Sequence, residues 1–259
     1  MKKLKEILVI MFISIFIVSL KGANGNTPTE NPIHEGSVTL NSYEKYQEFV
    51  SHHYSRVNGS MTIYGIDELL NLEGLESLMY IDGHLSINNN PNLKDLRGLN
   101  SLKSVGTSLT IQNNETLISL EGLESLKTIG NIQRPPSSPF EPDGDFGLYI
   151  SGNNSLINLT GLEGLNTVTE KIRILDNASL ENLRGLESVI TFPRSRLGDP
   201  YRGFSAMSNP KLRDYCQIGA LIEINGLDIV YWNDILGNGY TPTREDLEKN
   251  RCNDFELKK

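Results

Sequence analysis

The chain has 259 residues, with 24 Lys and Arg against 32 Asp and Glu, a formal charge of −8 at pH 7. That sign argues against nucleic acid and anionic membranes as partners, since no basic stripe stands out to neutralise phosphates. The length permits one or two domains with a sizeable core, while two cysteines and four histidines leave little material for a metal centre.

At the N-terminus Lys2, Lys3 and Lys5 precede an apolar run from Ile7 to Leu20, and the small residues Ala23-Asn24-Gly25 follow. This order reads as a signal peptide over residues 1–25, hence secretion or residence in the cell envelope, with an uncleaved membrane anchor as the alternative. The run is short of the roughly 20 apolar residues that a span requires, so no stable membrane span is expected after cleavage. Residues 26–36 read as a disordered linker and residues 37–259 as one domain. Its parts are an N-terminal cap (37–60), repeats (61–215) and a C-terminal cap (216–259). Val38 and Leu40 predict a strand in the first cap, and a helix follows from about Ser42 to Tyr54. Asn41 and Glu44 have capping-box spacing there, and Phe49 and Val50 are expected to face the first repeat.

The repeats dominate the sequence. Leu72-Glu-Gly-Leu-Glu-Ser-Leu78 returns with starts at Leu96, Leu120, Leu159 and Leu183, spaced 24, 24, 39 and 24 residues apart. A second motif, Leu85-Ser-Ile87-Asn-Asn-Asn-Pro-Asn-Leu93, returns at Leu109, Leu148, Ile172 and Phe204, and a partial copy begins at Met61. Two insertions interrupt the series, from Asn131 to Gly147 and from Phe192 to Gly203. In each Leu-x-Ile segment the outer two residues point inward and the middle one outward. Asparagines then end the strand, because they tolerate turn geometry and satisfy freed backbone groups. Asn89, Asn113, Asn153, Asp176 and Ser208 align as a candidate hydrogen-bonded ladder, with Asn90, Asn114, Asn154, Asn177 and Asn209 as the next rank. No single unit buries its own apolar side, so neighbours must stack and both ends need covers. The expected fold is a right-handed β-solenoid with leucine-rich character, about six rungs of ~24 residues. Thr241-Pro242 predicts the start of a capping helix that ends near Asn250. The cysteines, Cys216 and Cys252, read first as a disulfide in an exported protein; two free thiols or half a metal site stay open.

No catalytic constellation emerges, and neither an enzyme nor a cofactor is expected. His52 and His53 fall in the cap helix, His84 precedes a strand, and His34 lies in the linker. Asp143-Gly-Asp-Phe-Gly147 has the letters of a kinase metal loop without its companion motifs. Glu141, Asp143 and Asp145 offer oxygens for calcium, although a solvated acidic loop is the favoured reading. Five N-x-S/T triplets, at Asn58, Asn114, Asn153, Asn158 and Asn177, are read as by-products of the repeat. The outward strand positions are the better place for function. One row is Thr62, Ser86, Thr110, Tyr149, Arg173 and Ser205; the next is Tyr64, Asn88, Gln112, Ser151, Leu175 and Met207. From these, Tyr64, Asn88, Gln112, Tyr149, Arg173 and Leu175 make the candidate ligand face, since aromatics and arginine anchor interfaces.

The unit L-x-G-L-x-S-L-x-x-I-G-x-x-L-x-I-x-N-N-P-x-L resembles the receptor L-domain-like repeats of secreted bacterial proteins, similar to the L domains of insulin- and epidermal-growth-factor-type receptors. The resemblance covers about residues 37–252, and its eroded glycine pairs, Gly83-His84 and Gly106-Thr107, depart from the pattern. It implies pairing of Cys216 with Cys252 in a terminal cap. It also implies extracellular recognition of a protein or glycan; a structural or adhesive surface role is the alternative, and the oligomeric state stays open.

Overall fold

The computed structural model describes residues 31–130, 147–169, 171–190, 203–225, 237–249 and 251–253. The expected signal peptide and the acidic stretch Glu141–Asp145 lie outside these residues. The described chain, from Asn31 onward, belongs to one compact unit.

Thirteen strands are described: β1 (Ile33–Glu35), β2 (Val38–Leu40), β3 (Arg56–Asn58), β4 (Met61–Tyr64), β5 (Tyr80–Ile81), β6 (Leu85–Asn88), β7 (Ser104–Val105), β8 (Ser108–Gln112), β9 (Thr128–Ile129), β10 (Gly147–Ser151), β11 (Thr167–Val168), β12 (Lys171–Leu175) and β13 (Gly203–Met207). They form two parallel sheets. One has six strands in the order β1-β3-β5-β7-β9-β11, the other seven in the order β13-β12-β10-β8-β6-β4-β2.

This corrects the right-handed, leucine-rich β-solenoid of about six rungs expected from the repeat: the strands form two parallel sheets and not a closed or curled coil. The difference lies in a second strand that the Leu-x-Ile motif does not announce. Tyr80–Ile81, Ser104–Val105, Thr128–Ile129 and Thr167–Val168 pair in register and build a sheet of their own. The chain therefore visits one sheet and then the other, and each return lands one strand further along. Residues 33–35, assigned from sequence to the linker, also form a strand, with Ile33, His34 and Glu35 opposite Arg56, Val57 and Asn58.

The inward residues of both sheets share one core. Leu85, Leu109, Leu148, Ile172 and Phe204 follow one another across the seven-stranded sheet, as do Ile87, Ile111, Ile150, Ile174 and Ala206. Phe204 beside Ala206 keeps a large and a small side chain together in the last strand, so the layer stays filled. The leucines of the L-x-G-L segment, such as Leu96, Leu99 and Leu102, are fully buried. The segment's glycine is enforced by space as well as by conformation. Gly98 has φ +113°, and a Cβ there would come within 1.8 Å of the Leu72 carbonyl oxygen. The glycine N–H finds its acceptor two residues on. Gly122 donates to the carboxylate of Glu124 at 2.9 Å, and Gly74, Gly161 and Gly185 donate likewise to Glu76, Glu163 and Glu187.

The ends differ in detail from the sequence reading. Helix α1 (Tyr43–Ser51) is capped by Ser42, whose Oγ accepts from the Lys45 N–H, rather than by Asn41. Asn41 instead accepts from the Lys45 ammonium at 2.8 Å. Tyr46 and Phe49 are buried, Val50 packs against the core, and the Tyr46 hydroxyl donates to the Glu73 carbonyl at 2.9 Å. At the other end come a short 3-10 turn (Cys216–Ile218), α2 (Gly219–Asn225) and α3 (Arg244–Glu248). Thr243, not Thr241, caps α3, and it forms a capping box with Asp246. The helix stops at Glu248, short of Asn250. Cys216 and Cys252 are joined in a disulfide. Backbone contacts run with it: Tyr215 N–H donates to the Cys252 carbonyl, and Asp214 bridges Asn182 on one side and Asn253 on the other.

Candidate functional site

The outward rows of the seven-stranded sheet are aligned strand by strand. Thr39, Thr62, Ser86, Thr110, Tyr149, Arg173 and Ser205 are consecutive partners in one row. Tyr64, Asn88, Gln112, Ser151, Leu175 and Met207 are consecutive in the other. Of the six residues expected to form the face, Tyr64, Asn88 and Gln112 are therefore immediate neighbours. Tyr149 and Arg173 are neighbours in the adjoining row. Leu175 is separated from Gln112 by Ser151.

Exposure divides this face. On β10 to β13 Ser151 and Ser205 are only 5% and 2% exposed although they stand in outward rows, while Tyr149, Arg173, Leu175 and Met207 are half-buried. The half from β2 to β8 is the more open because it holds both exposed residues of the two rows, Thr39 and Tyr64, the latter 49% exposed; Thr62, Ser86, Asn88, Thr110 and Gln112 are half-buried. Within it the Asn88 Nδ2–H donates to Ser86 Oγ at 2.6 Å, while its Oδ1 is shielded from solvent and has no partner. Whichever way this amide is turned, one of its polar ends is unsatisfied.

A row of asparagine side chains fixes the exits of these strands. The ladder runs Asn90, Asn114, Asn153, Asn177, Asn209 and Asn238, and each Oδ1 accepts the backbone N–H of the residue before it in the row. The lower end is closed by the Ile66 N–H, which donates to Asn90 Oδ1 at 3.1 Å. The first rank proposed from sequence is not the ladder. Asn89, Asn113, Asp176 and Ser208 instead hold φ between 53° and 57°, the left-handed turn that frees the next residue to point inward. Asn153 belongs to the ladder and Gly152 takes its turn, a one-residue shift from the sequence alignment; Asn154 is exposed. The C-terminal member, Asn238 after Gly237, was not legible as a repeat.

The histidines and the cysteine cluster have structural roles. His34 packs on Phe49 and Tyr54 with ring centroids 5.5 and 5.2 Å away, and His52 stacks on Tyr54 at 5.2 Å. His52 closes the C-terminus of α1 and His53 follows it in a left-handed turn, so neither is within the helix. His84 is exposed just before β6. Asp214, Cys216 and Cys252 bring a carboxylate and two sulfurs within 4.8 Å, but the sulfurs are bonded to each other and Asp214 Oδ1 accepts the Cys216 N–H. They do not form a metal site. Burial holds the phenols of Tyr46 and Tyr215 well above their ordinary range, as expected for core hydroxyls.

Compared with protein-family models, with curated proteins and with solved structures, the chain finds no match in any of the three. Function is therefore argued from the face itself. No described helix is long and apolar enough to cross a membrane, and this together with the disulfide is compatible with a secreted protein.

Proposed function

We propose that this chain is an exported, non-enzymatic binding module that recognises a protein or glycan outside the cytoplasm through the open half of its seven-stranded sheet. The carrying observation is Tyr64, a large side chain left 49% exposed at the end of β4, in register with Asn88 and, one strand further, Gln112. An aromatic with low conformational freedom gives contact area at small entropic cost, which is how interfaces are anchored. The disulfide supports the exported reading, because such bonds persist in oxidising compartments. The repeat's resemblance to receptor L-domain-like proteins supports recognition as the role.

The test is capture with the immobilised chain against envelope extracts and a glycan panel, beside Tyr64→Ala and Tyr149→Ala/Arg173→Ala versions. Selective capture lost in Tyr64→Ala supports the open half-face; loss only in the double variant moves the site toward β10 and β12. Capture that survives all three replacements removes the face from consideration.

A structural or adhesive role has one observation in its favour. Leu70, Ile118 and Ile157 occupy the same place in their repeats, each following an inward leucine, and are 54%, 53% and 45% exposed. Lys94 stands between Leu70 and Ile118 in this row and Glu181 follows Ile157, so the apolar patch is the adjacent pair Ile118 and Ile157, which suits association with envelope components. Light scattering decides: concentration-dependent assembly abolished by Ile118→Lys favours this reading, and a monomer at all concentrations dismisses it.

A further inference from the structure

Resting on the binding-module reading, we propose that the ligand is a neutral, linear polysaccharide lying across the strands from β2 to β8. Charge is the first argument. The chain is 22% Asp, Glu, Lys and Arg, yet the open outward positions Thr39, Thr62, Tyr64, Ser86, Asn88, Thr110 and Gln112 include none of them. A partner rich in ionised groups would leave its charges unpaired against such a surface, which is how a face rejects the wrong ligand. A polymer of hydroxyls meets hydroxyls and amides that donate and accept equally well.

Geometry is the second argument. Thr39, Thr62, Ser86 and Thr110 stand on adjacent parallel strands in unbroken register. Neighbouring strands lie ~4.8 Å apart, so the four hydroxyls form a row about 14 Å long. That interval is close to the rise of one sugar in an extended β-1,4-linked chain. Successive sugars laid perpendicular to the strands would each meet one hydroxyl from this row. Beside the row, Tyr64 supplies a ring for the apolar face of a sugar. Asn88, its Nδ2–H turned to Ser86 Oγ, and Gln112 place two amides next to that ring. Protein–protein hot spots favour a cluster of aromatics and arginine; here one tyrosine is surrounded by small polar groups.

The experiment uses the full chain, sedimented with amorphous cellulose and with chitin, and run by affinity electrophoresis through hydroxyethyl cellulose and through heparin. Retention on a neutral polymer is expected, displaced by cellohexaose or chitohexaose. Its dissociation constant should stay unchanged from about 0.05 to 0.5 M salt, because no exposed charge pairs are made. Tyr64→Ala should weaken binding about tenfold without moving the melting temperature, the side chain being half exposed. Ser86→Lys should weaken it through the charge placed in the row. Retention on heparin alone, falling steeply with salt, overturns the neutral ligand. A protein captured through Tyr64, with no polysaccharide retained, overturns the glycan while the module reading stands. No retention on any polymer, with protein capture indifferent to Tyr64→Ala, overturns both.

Discussion

Asn177 donates its side-chain Nδ2–H to Oδ1 of Asn209 across 3.2 Å, and its backbone N–H to the same oxygen at 3.0 Å, although 32 residues separate the two. The same double contact links Asn90 to Asn114, Asn114 to Asn153, Asn153 to Asn177 and Asn209 to Asn238, at separations of 24, 39, 24 and 29 residues. Whatever length the chain inserts between units, the ladder keeps one geometry. Each amide also donates to a buried carbonyl of the neighbouring strand, as Asn153 does to Ile111 at 2.9 Å. The row thus satisfies backbone groups that the turn leaves without strand partners.

Asn153→Ala is expected to cost about 3 kcal/mol, because it leaves the Ile111 carbonyl and the Asn114 N–H buried without partners. Asn154→Ala, one residue on and exposed, should stay within about 0.5 kcal/mol. Urea unfolding monitored by circular dichroism distinguishes the two. Equal costs would mean that the ladder does not run through Asn153.

That one-residue distinction shows where the sequence is legible. Leu85 and Ile87, or Leu148 and Ile150, declare a strand and its buried face by alternation alone, and the outward rows follow from it in the order observed. The asparagines are harder. Asn89 and Asn90 carry the same letter, and only backbone conformation decides which takes the left-handed turn and which points inward. Gly152 before Asn153 was the available clue, since glycine most readily occupies such a turn. The six-stranded sheet was hidden because Ser104–Val105 and its equivalents are two residues long, too short to show any period. Ser42 and Thr243 displaced Asn41 and Thr241 as caps by one and two places, a choice among adjacent capping residues that spacing does not resolve. At the face, register was readable, but not the shielding that leaves Tyr64 open and Ser151 buried.

The turn glycines separate conformation from crowding. Gly65 has φ +66° with open space around it, so Gly65→Ala should cost about 1 kcal/mol. Gly65→Asn should cost close to nothing, since Asn89 and Asn113 hold φ 54° and 53° in the equivalent turns. Gly98→Ala meets backbone at 1.8 Å and should exceed about 4 kcal/mol or prevent folding. Melting temperatures of the three variants give the ranking; a benign Gly98→Ala would contradict the packing of the L-x-G-L turns.

Replacing both cysteines, as Cys216→Ser/Cys252→Ser, opens a loop of 36 residues. On the loop-entropy account the loss is about 4 kcal/mol. Reductant should lower the unfolding midpoint of the native chain toward that of the double variant and leave the variant unmoved. A reductant effect of equal size in both proteins would place the sensitivity elsewhere.

Acid should act through the C-terminal cap. Asp246 accepts from the Thr243 hydroxyl at 2.6 Å and the Thr243 N–H at 2.9 Å, and its other oxygen meets Arg251 at 2.8 Å. The Thr243 side-chain and backbone hydrogen bonds, and then the Arg251 charge, hold its carboxyl below the usual carboxylate range. A carboxylate depressed by folding stabilises the folded state fully above its unfolded value, about 3.9, and loses that contribution as the pH falls through the folded value. The native chain should therefore melt at progressively lower temperature below about pH 4. Asp246→Asn should be less stable at neutral pH, where the Arg251 pair and the charged cap are missing, and should depend less on acid. The two curves should converge as the pH falls, because protonated Asp246 and asparagine are both neutral. Thermal melting of the two proteins across the acid range tests this directly. Parallel curves would mean that the acid sensitivity arises from other carboxylates, and that the cap bonds around Asp246 persist after it takes up a proton.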